Sequence, residues 1–123
     1  MSPLYVFLID TGSCGACAAE VWATVERTAA LRWAATPATA DVVVLVGVPT
    51  LLLAPAVRQT LIDATHLPLV AVGRCTKEAL VRTTTPFLPP DMAPRRIIDG
   101  CPALPTAIAE GIQTAMVRII GGL

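Results

Sequence analysis

The chain alternates short uninterrupted apolar runs with stretches in which apolar residues recur every three or four positions. Leu4-Tyr5-Val6-Phe7-Leu8-Ile9 is the first such run. It is rich in β-formers and closes with Asp10-Thr11-Gly12-Ser13, the pattern of a central parallel strand and its exit loop. From Cys17 onward, Ala18, Val21, Trp22, Val25 and Ala29 repeat at helical spacing and leave Glu20, Glu26 and Arg27 mostly off the stripe, which predicts an amphipathic helix. A weaker strand is predicted over Leu31 to Ala35, ended by Pro37. Val42-Val43-Val44-Leu45-Val46 has no polar interruption, so burial on both faces is expected, and it leaves through Gly47-Val48-Pro49-Thr50.

The same alternation continues. A helix is predicted from about Leu52 to Ala64, with Pro55 tolerated in its first turn and Val57, Leu61 and Ile62 turned inward. Leu69-Val70-Ala71-Val72 reads as a strand, Gly73-Arg74-Cys75 leaves it, and Thr76 is placed to cap a short helix through Leu80. The stretch from Thr83 to Pro94 holds four of the eleven prolines and reads as an irregular surface excursion. Arg96-Ile97-Ile98-Asp99 resumes an extended path into Gly100-Cys101-Pro102. Pro105 then opens a last helix, in which Ile108, Ile112, Met116 and Ile119 form one stripe that fades at Gly121-Gly122. Strands alternating with helices in this way predict an α/β protein with an open, mainly parallel sheet and helices on both faces. Residues 1–123 are expected to form a single domain, since 123 residues hold one such sheet and not two cores.

Composition sharpens this picture. Hydrophobic residues make up 54% and charged residues only 15%, against roughly 25% charged in an average soluble domain. Apolar surface left over after folding needs a cover, so the chain is expected to be a subunit of a larger assembly. Formal net charge is zero and the basic residues are scattered, which excludes the basic stripe of a nucleic-acid binder. The start, Met1-Ser2-Pro3-Leu4-Tyr5, has no basic region followed by an apolar stretch, so no secretory signal and a cytoplasmic location are expected. The richest apolar run, Val42 to Val57, is broken by Pro49 and Pro55 and is shorter than the ~20 residues that cross a bilayer. Any membrane association would then come through partner subunits.

The candidate chemistry lies in four cysteines: Cys14 and Cys17 in a Cys-Gly-Ala-Cys motif after the first strand, Cys75 after a later strand, and Cys101 beside Pro102. In a parallel sheet the carboxyl ends of the strands share one edge, where residues distant in sequence converge on one ligand. In a reducing compartment such cysteines bind metal or react; they rarely form structural disulfides. One [4Fe–4S] cluster uses four thiolates, with a close pair from one loop and further ligands from elsewhere. Three other readings stay open on spacing alone. A redox dithiol fits Cys14 and Cys17 but leaves Cys75 and Cys101 unexplained. A zinc-stabilised structural subunit also takes four thiolates, though usually as two close pairs. The fourth reading is unrelated buried cysteines. Gly12, Gly15, Gly73 and Gly100 suit the cluster, because glycine lets backbone amides approach sulfur, and they suit ordinary turns as well.

Four segments then carry a resemblance: Ile9-Asp10-Thr11-Gly12-Ser13-Cys14-Gly15-Ala16-Cys17-Ala18-Ala19-Glu20-Val21, Ala40-Asp41-Val42-Val43-Val44-Leu45-Val46-Gly47-Val48-Pro49-Thr50, Val70-Ala71-Val72-Gly73-Arg74-Cys75, and Gly100-Cys101-Pro102-Ala103-Leu104-Pro105-Thr106-Ala107-Ile108. Taken in order over nearly the whole chain, they resemble the small subunit of [NiFe] hydrogenases. More narrowly, they are similar to the membrane-bound, energy-converting group 4 enzymes and to the homologous PSST-type subunit of respiratory complex I. The resemblance implies a flavodoxin-like domain in which Cys14, Cys17, Cys75 and Cys101 bind the [4Fe–4S] cluster proximal to a large subunit. It implies an electron-transfer subunit of an oxidoreductase, with no bond chemistry on this chain. The expected partners are the hydrogenase-type or complex-I-type large subunit, a ferredoxin-like iron–sulfur subunit and membrane-arm subunits, on the cytoplasmic side and peripheral to the membrane. In complex I the first two ligands are adjacent, whereas two residues separate Cys14 from Cys17, which favours the hydrogenase side over a complex-I-like quinone reductase. No cysteine is spare for a second cluster.

Other residues carry two readings each. Glu20 lies one helical turn past Cys17 and matches a glutamate of the family motif, so it is a candidate proton carrier or an acid complementing the helix dipole. Arg74, beside Cys75, is placed to raise the cluster potential by favouring the more negative reduced state, or to pair with solvent or another subunit. Thr50 is a candidate neighbour of the cluster or interface, or a helix cap. Pro102 is expected beside the cluster with Gly100. His66, the only histidine, is far in sequence from every cysteine and suits a helix C-terminus, not a ligand position. Trp22 and Trp33 suit packing or interface anchoring.

Overall fold

In a computed structural model, which describes residues 3–12, 15–82, 88–90 and 92–121, the chain runs through five strands and four helices. They are β1 (Leu4–Asp10), α1 (Ala16–Arg27), β2 (Leu31–Trp33), β3 (Val42–Val46), α2 (Ala54–Asp63), β4 (Leu69–Val72), α3 (Arg74–Arg82), β5 (Arg96–Ile98) and α4 (Pro105–Gly121), with one 3-10 turn at Pro37–Thr39. The strands form one sheet in the order β2-β1-β3-β4-β5, and every pair is parallel. This is the flavodoxin-like, doubly wound order.

The continuous apolar runs explain why β3 and β4 are central. All residues of Val42–Val46 and Leu69–Val72 are buried, because helices cover both faces. Val42, Val44, Val46, Val70 and Val72 face α1 and α4, where they meet Val21, Val25, Ile108 and Ile112. Val43, Leu45 and Leu69 face the other way, against Val57 and Leu61 of α2 and Ala64 just past its end, with Met92 and the partly buried Leu80 and Leu88. A strand–helix–strand crossover has one favoured hand, so a helix changes face when the chain changes winding direction. From β1 the chain winds one way to β2 and then the other way from β3 to β5, which puts α1 and α2 on opposite faces. Gly111 lets α4 lie close on β5, since a Cβ there would run into the Ile98 side chain.

Several details differ from the sequence pattern. The edge strand β2 is only three residues long, and Pro37 begins a 3-10 turn after it. Ala29 lies beyond the end of α1 and is exposed. Trp22 is 52% exposed, because the buried arc of α1 runs through Ala18, Val21, Thr24 and Val25, and β2 is too short to cover its flank. Thr24 tolerates burial by donating its hydroxyl to the Glu20 carbonyl at 2.7 Å. Helix α2 starts at Ala54, with Pro55 in its first turn, and its inward residues are Val57 and Leu61. Ile62 points outward at 42% exposure, one position around the helix from Leu61. On α4, Ile108 and Ile112 are buried as expected, Ala115 joins them, and the side chain of Ile119 lies outside the described ones. Of the Thr83–Pro94 stretch, residues 83–87 and 91 lie outside the described residues; the remainder is irregular, with Met92 buried.

Leu61→Ala should cost about 2–5 kcal/mol of unfolding free energy through the cavity it leaves. Ile62→Ala should stay within about 0.5 kcal/mol. Denaturant unfolding of the two variants checks the assignment of the inward face.

Candidate metal centre

The change of winding direction at β1 sends the loops after β1 and β3 to opposite faces, and the crevice between such loops is where α/β sheets of this kind bind ligands. Close by, at the carboxyl ends of β3 and β4, lies a narrow cleft of about 20 Å³ that opens to solvent. Its walls come from the start of α1, the exits of β3 and β4, the first turn of α3, and the turn after β5. Cys17, Cys75 and Cys101 all line it.

These three thiols are free and come from three separate segments. Cys17 is the second residue of α1 and half-buried; Cys75 is the second residue of α3 and exposed; Cys101 is exposed in the turn after β5 and joined to Pro102 by a cis peptide bond. Both Cys17 and Cys75 therefore sit in helical first turns, as expected for Cys17, whereas Cys75 was expected in a strand-exit loop. The unpaired amides of a first turn favour negatively charged groups. Cys14 lies outside the described residues. The loop leading toward it is anchored at Thr11, whose amide and hydroxyl both donate to the Val46 carbonyl, at 3.0 and 2.8 Å.

Two glycines are required by the packing. Gly73 has φ +105, and a Cβ there would come within 2.8 Å of the Cys17 sulfur. Gly100 has φ +144, and a Cβ would meet Ala103 and the Pro102 carbonyl at under 3.0 Å. The Cys17 sulfur also lies 4.0 Å from the Gly100 carbonyl oxygen. Hence Gly73 lets the start of α1 close on the exit of β4, and Gly100 lets the turn that carries Cys101 fold tightly on itself.

The segments bearing Cys75 and Cys101 are tied together directly. The Gly73 amide donates to the Ile98 carbonyl and the Arg74 amide to the Gly100 carbonyl, both at 2.8 Å. Asp99 adds a side-chain clamp: its carboxylate accepts the Gly100 amide at 2.8 Å, pairs with the Lys77 ammonium at 3.2 Å, and lies 3.6 Å from the Arg74 guanidinium. The Lys77 hydrogen bond, followed by the Gly100 amide, holds the Asp99 carboxyl below its ordinary range. Arg74, whose side chain is 60% exposed, thus has a carboxylate beside it, which offsets part of its charge at the cleft.

Thr76 is not the helix cap expected from the sequence. The helix starts two residues earlier, at Arg74, and Thr76 is buried inside it. Its hydroxyl donates to the Val72 carbonyl at 2.8 Å and accepts the Gly47 amide at 2.7 Å. It therefore fixes the exit of β3 to the helix that carries Cys75.

Of the other residues singled out by sequence, Gly73, Arg74, Gly100 and Pro102 line the cleft. Gly12, Gly15, Glu20 and Thr50 do not. Gly15 precedes α1 with φ 90, and Thr50 accepts the Leu53 amide at 3.3 Å through its hydroxyl, so it shapes the turn into α2. His66 is exposed after α2 and is not part of the site. Trp22 and Trp33 pack on each other with ring centroids 4.5 Å apart. Sequence reasoning missed Gly47, Thr76, Lys77 and Asp99. Asp99 has a visible signal, an acid two residues before Cys101; the others gain their roles only from the pairing of β3, β4 and β5.

The fold and the three-thiol cleft define a flavodoxin-like protein with a candidate metal centre at its ligand-binding edge. Compared with protein-family models and with curated proteins, the chain matches none. Among the described residues, no three of cysteine, histidine, aspartate or glutamate stand close enough to hold a single metal ion, and no helix is long and apolar enough to cross a membrane.

Gly73→Ala should destabilise the fold by about 1–3 kcal/mol through the positive φ and the contact with Cys17. Denaturant midpoints measure it, and an unchanged midpoint would contradict the described packing. Asp99→Ala should speed hydrogen exchange at the Gly100 amide while leaving exchange in β3 unchanged, which amide exchange by NMR reads residue by residue.

Proposed function

We propose that this chain is the electron-transfer subunit of a multisubunit, [NiFe]-hydrogenase-like oxidoreductase, holding one [4Fe–4S] cluster with Cys14, Cys17, Cys75 and Cys101. The observation that carries the reading is the meeting of three free thiols, from α1, α3 and the β5–α4 turn, on one cleft at the carboxyl edge of the sheet. Soft thiolate donors suit iron–sulfur clusters. A cubane offers each thiolate its own iron, so its ligands stand apart around it and do not crowd one point. Gly73 lets the backbone approach the Cys17 sulfur closely, which suits a ligating thiolate.

When bound, such a cluster would supply one-electron transfer. The chain's own part is to hold and tune it. The first turns of α1 and α3 favour negative charge at Cys17 and Cys75. Arg74 favours the reduced, more negative state, and Asp99 opposes it from beside Arg74. Glu20, one turn beyond Cys17 and outside the cleft, is given no part in electron transfer.

An apolar rim supports assembly with a large subunit. Leu51 and Leu52, in the turn between β3 and α2, are 88% and 89% exposed, and Leu104, three residues past Cys101, is also exposed. Side chains of this kind at the strand exits suit a protein partner placed over the cleft. That partner brings the reacting site, and a ferredoxin-like subunit completes the relay.

Anaerobic reconstitution with iron and sulfide should give a brown protein with iron and acid-labile sulfide in equal amounts, about four of each per chain. Each of Cys14→Ser, Cys17→Ser, Cys75→Ser and Cys101→Ser should lower that yield. Stoichiometric zinc without sulfide in anaerobically purified protein overturns the reading in favour of a zinc-stabilised structural subunit. In the loaded protein, Arg74→Gln should lower the midpoint potential and Asp99→Asn should raise it, as followed by redox titration. Anaerobic pull-down of a large subunit with two cysteine pairs separates the hydrogenase-like complex from a complex-I-like one.

A further inference from the structure

A second groove lies on the far edge of the sheet and has no part in the thiol cleft. Strand β2 pairs with β1 only through Leu4, Tyr5 and Val6, whereas β1 continues to Asp10 alongside β3. Backbone groups of alternate residues in a strand point to alternate neighbours. On β1, the Leu4 amide donates to the Ala30 carbonyl and the Val6 carbonyl accepts the Ala34 amide, both toward β2. The Tyr5 carbonyl and the Thr11 amide bond to Asp41 and Val46, toward β3. Leu8 therefore turns its N–H and C=O to the side that β2 vacates, and among the described residues neither has a partner.

That open edge is walled. Phe7, Leu8, Asp10, Trp22, Trp33 and Ala34 line a groove of about 390 Å³ that is open to solvent. The two indoles lie with centroids 4.5 Å apart at 47°, and Trp33 donates its ring N–H to Glu26 at 3.2 Å, which holds that ring in place. Asp10 lines the groove and Glu26 lies at the Trp33 wall, so two carboxylates stand here; among the described residues no lysine or arginine lines the groove. Half-buried backbone groups without partners are costly, and a paired strand satisfies them. Indole faces beside carboxylates favour a cation.

We propose that the open β1 edge at Leu8 is a docking site for an extended segment of a partner polypeptide that carries a lysine or arginine. The segment adds as a strand beside Leu8, exchanging main-chain hydrogen bonds, and sets its cationic side chain against Trp22, Trp33 and Asp10. The charge of the groove selects a basic segment over an acidic one. This site is independent of the cluster, so its failure leaves the electron-transfer reading untouched.

The test uses the full chain and a fluorescently labelled acetyl-Thr-Val-Arg-Val-Thr-amide peptide, followed by anisotropy. Saturable binding is expected, weakened at least about tenfold when glutamate replaces the arginine or when the peptide backbone is N-methylated. Trp22→Ala and Asp10→Asn should each weaken it, and Trp22→Phe should retain most of it. Since Trp22 is half exposed, circular dichroism should show the variants folded. Equal binding of the arginine, glutamate and N-methylated peptides would mean mere adhesion to the indoles and overturn the proposal, as would no saturation at millimolar peptide. Concentration-dependent self-association abolished by Asp10→Asn would overturn it in favour of a second copy of this chain as the occupant.

Discussion

Parallel strands cannot be joined by tight turns, so each must be followed by a return crossing outside the sheet. That constraint places every strand exit on one rim. In this chain it brings residues 17, 75 and 101 to a single cleft, although the segments bearing them are remote in sequence. The burial of β3 and β4 on both faces holds the arrangement, because it fixes the register of the sheet and hence the height at which each segment leaves. The thiols themselves contribute nothing to this; the valines do.

Uninterrupted apolar runs were the most legible part of the sequence. Val42–Val46 and Leu69–Val72 match their predicted bounds, since a strand covered on both faces has no polar position to blur its ends. That Cys17, Cys75 and Cys101 share one edge was legible too, because the parallel topology puts the strand exits on one rim, while Cys14 lies outside the described residues. Residues at the margin of a layer were harder to read. Trp22 and Ile62 fit a helical stripe on paper, yet each lies just outside the arc that the sheet covers, and how far the sheet extends is not written in the helix. Thr76 shows the same limit for polar groups. A threonine after a glycine and a cysteine looks like a cap, but the helix begins earlier, and its hydroxyl serves a neighbouring strand exit that no local pattern reveals.

The cleft is organised by backbone more than by charged side chains. Three segments meet because Gly73, at a positive φ, leaves room for the Cys17 sulfur, and because two amides of the β4 exit bond to carbonyls at the end of β5 and in the turn that follows it, where Gly100 keeps that turn tight. Arg74, Lys77 and Asp99 form an exposed network of two cations sharing one carboxylate. Exposed pairs of this sort add little stability, and their value lies in orienting the turn that carries Cys101.

The latch made by Thr76 has a mechanical meaning. One hydroxyl joins the turn after β3 to the helix that carries Cys75, so the spacing of these two pieces is set by a buried hydrogen bond. The bare leucines at 51 and 52 stand a few residues along the same arm from Gly47. The exposed apolar tip at residues 51 and 52 and the thiol of Cys75 thus stand on segments that one buried hydroxyl ties together.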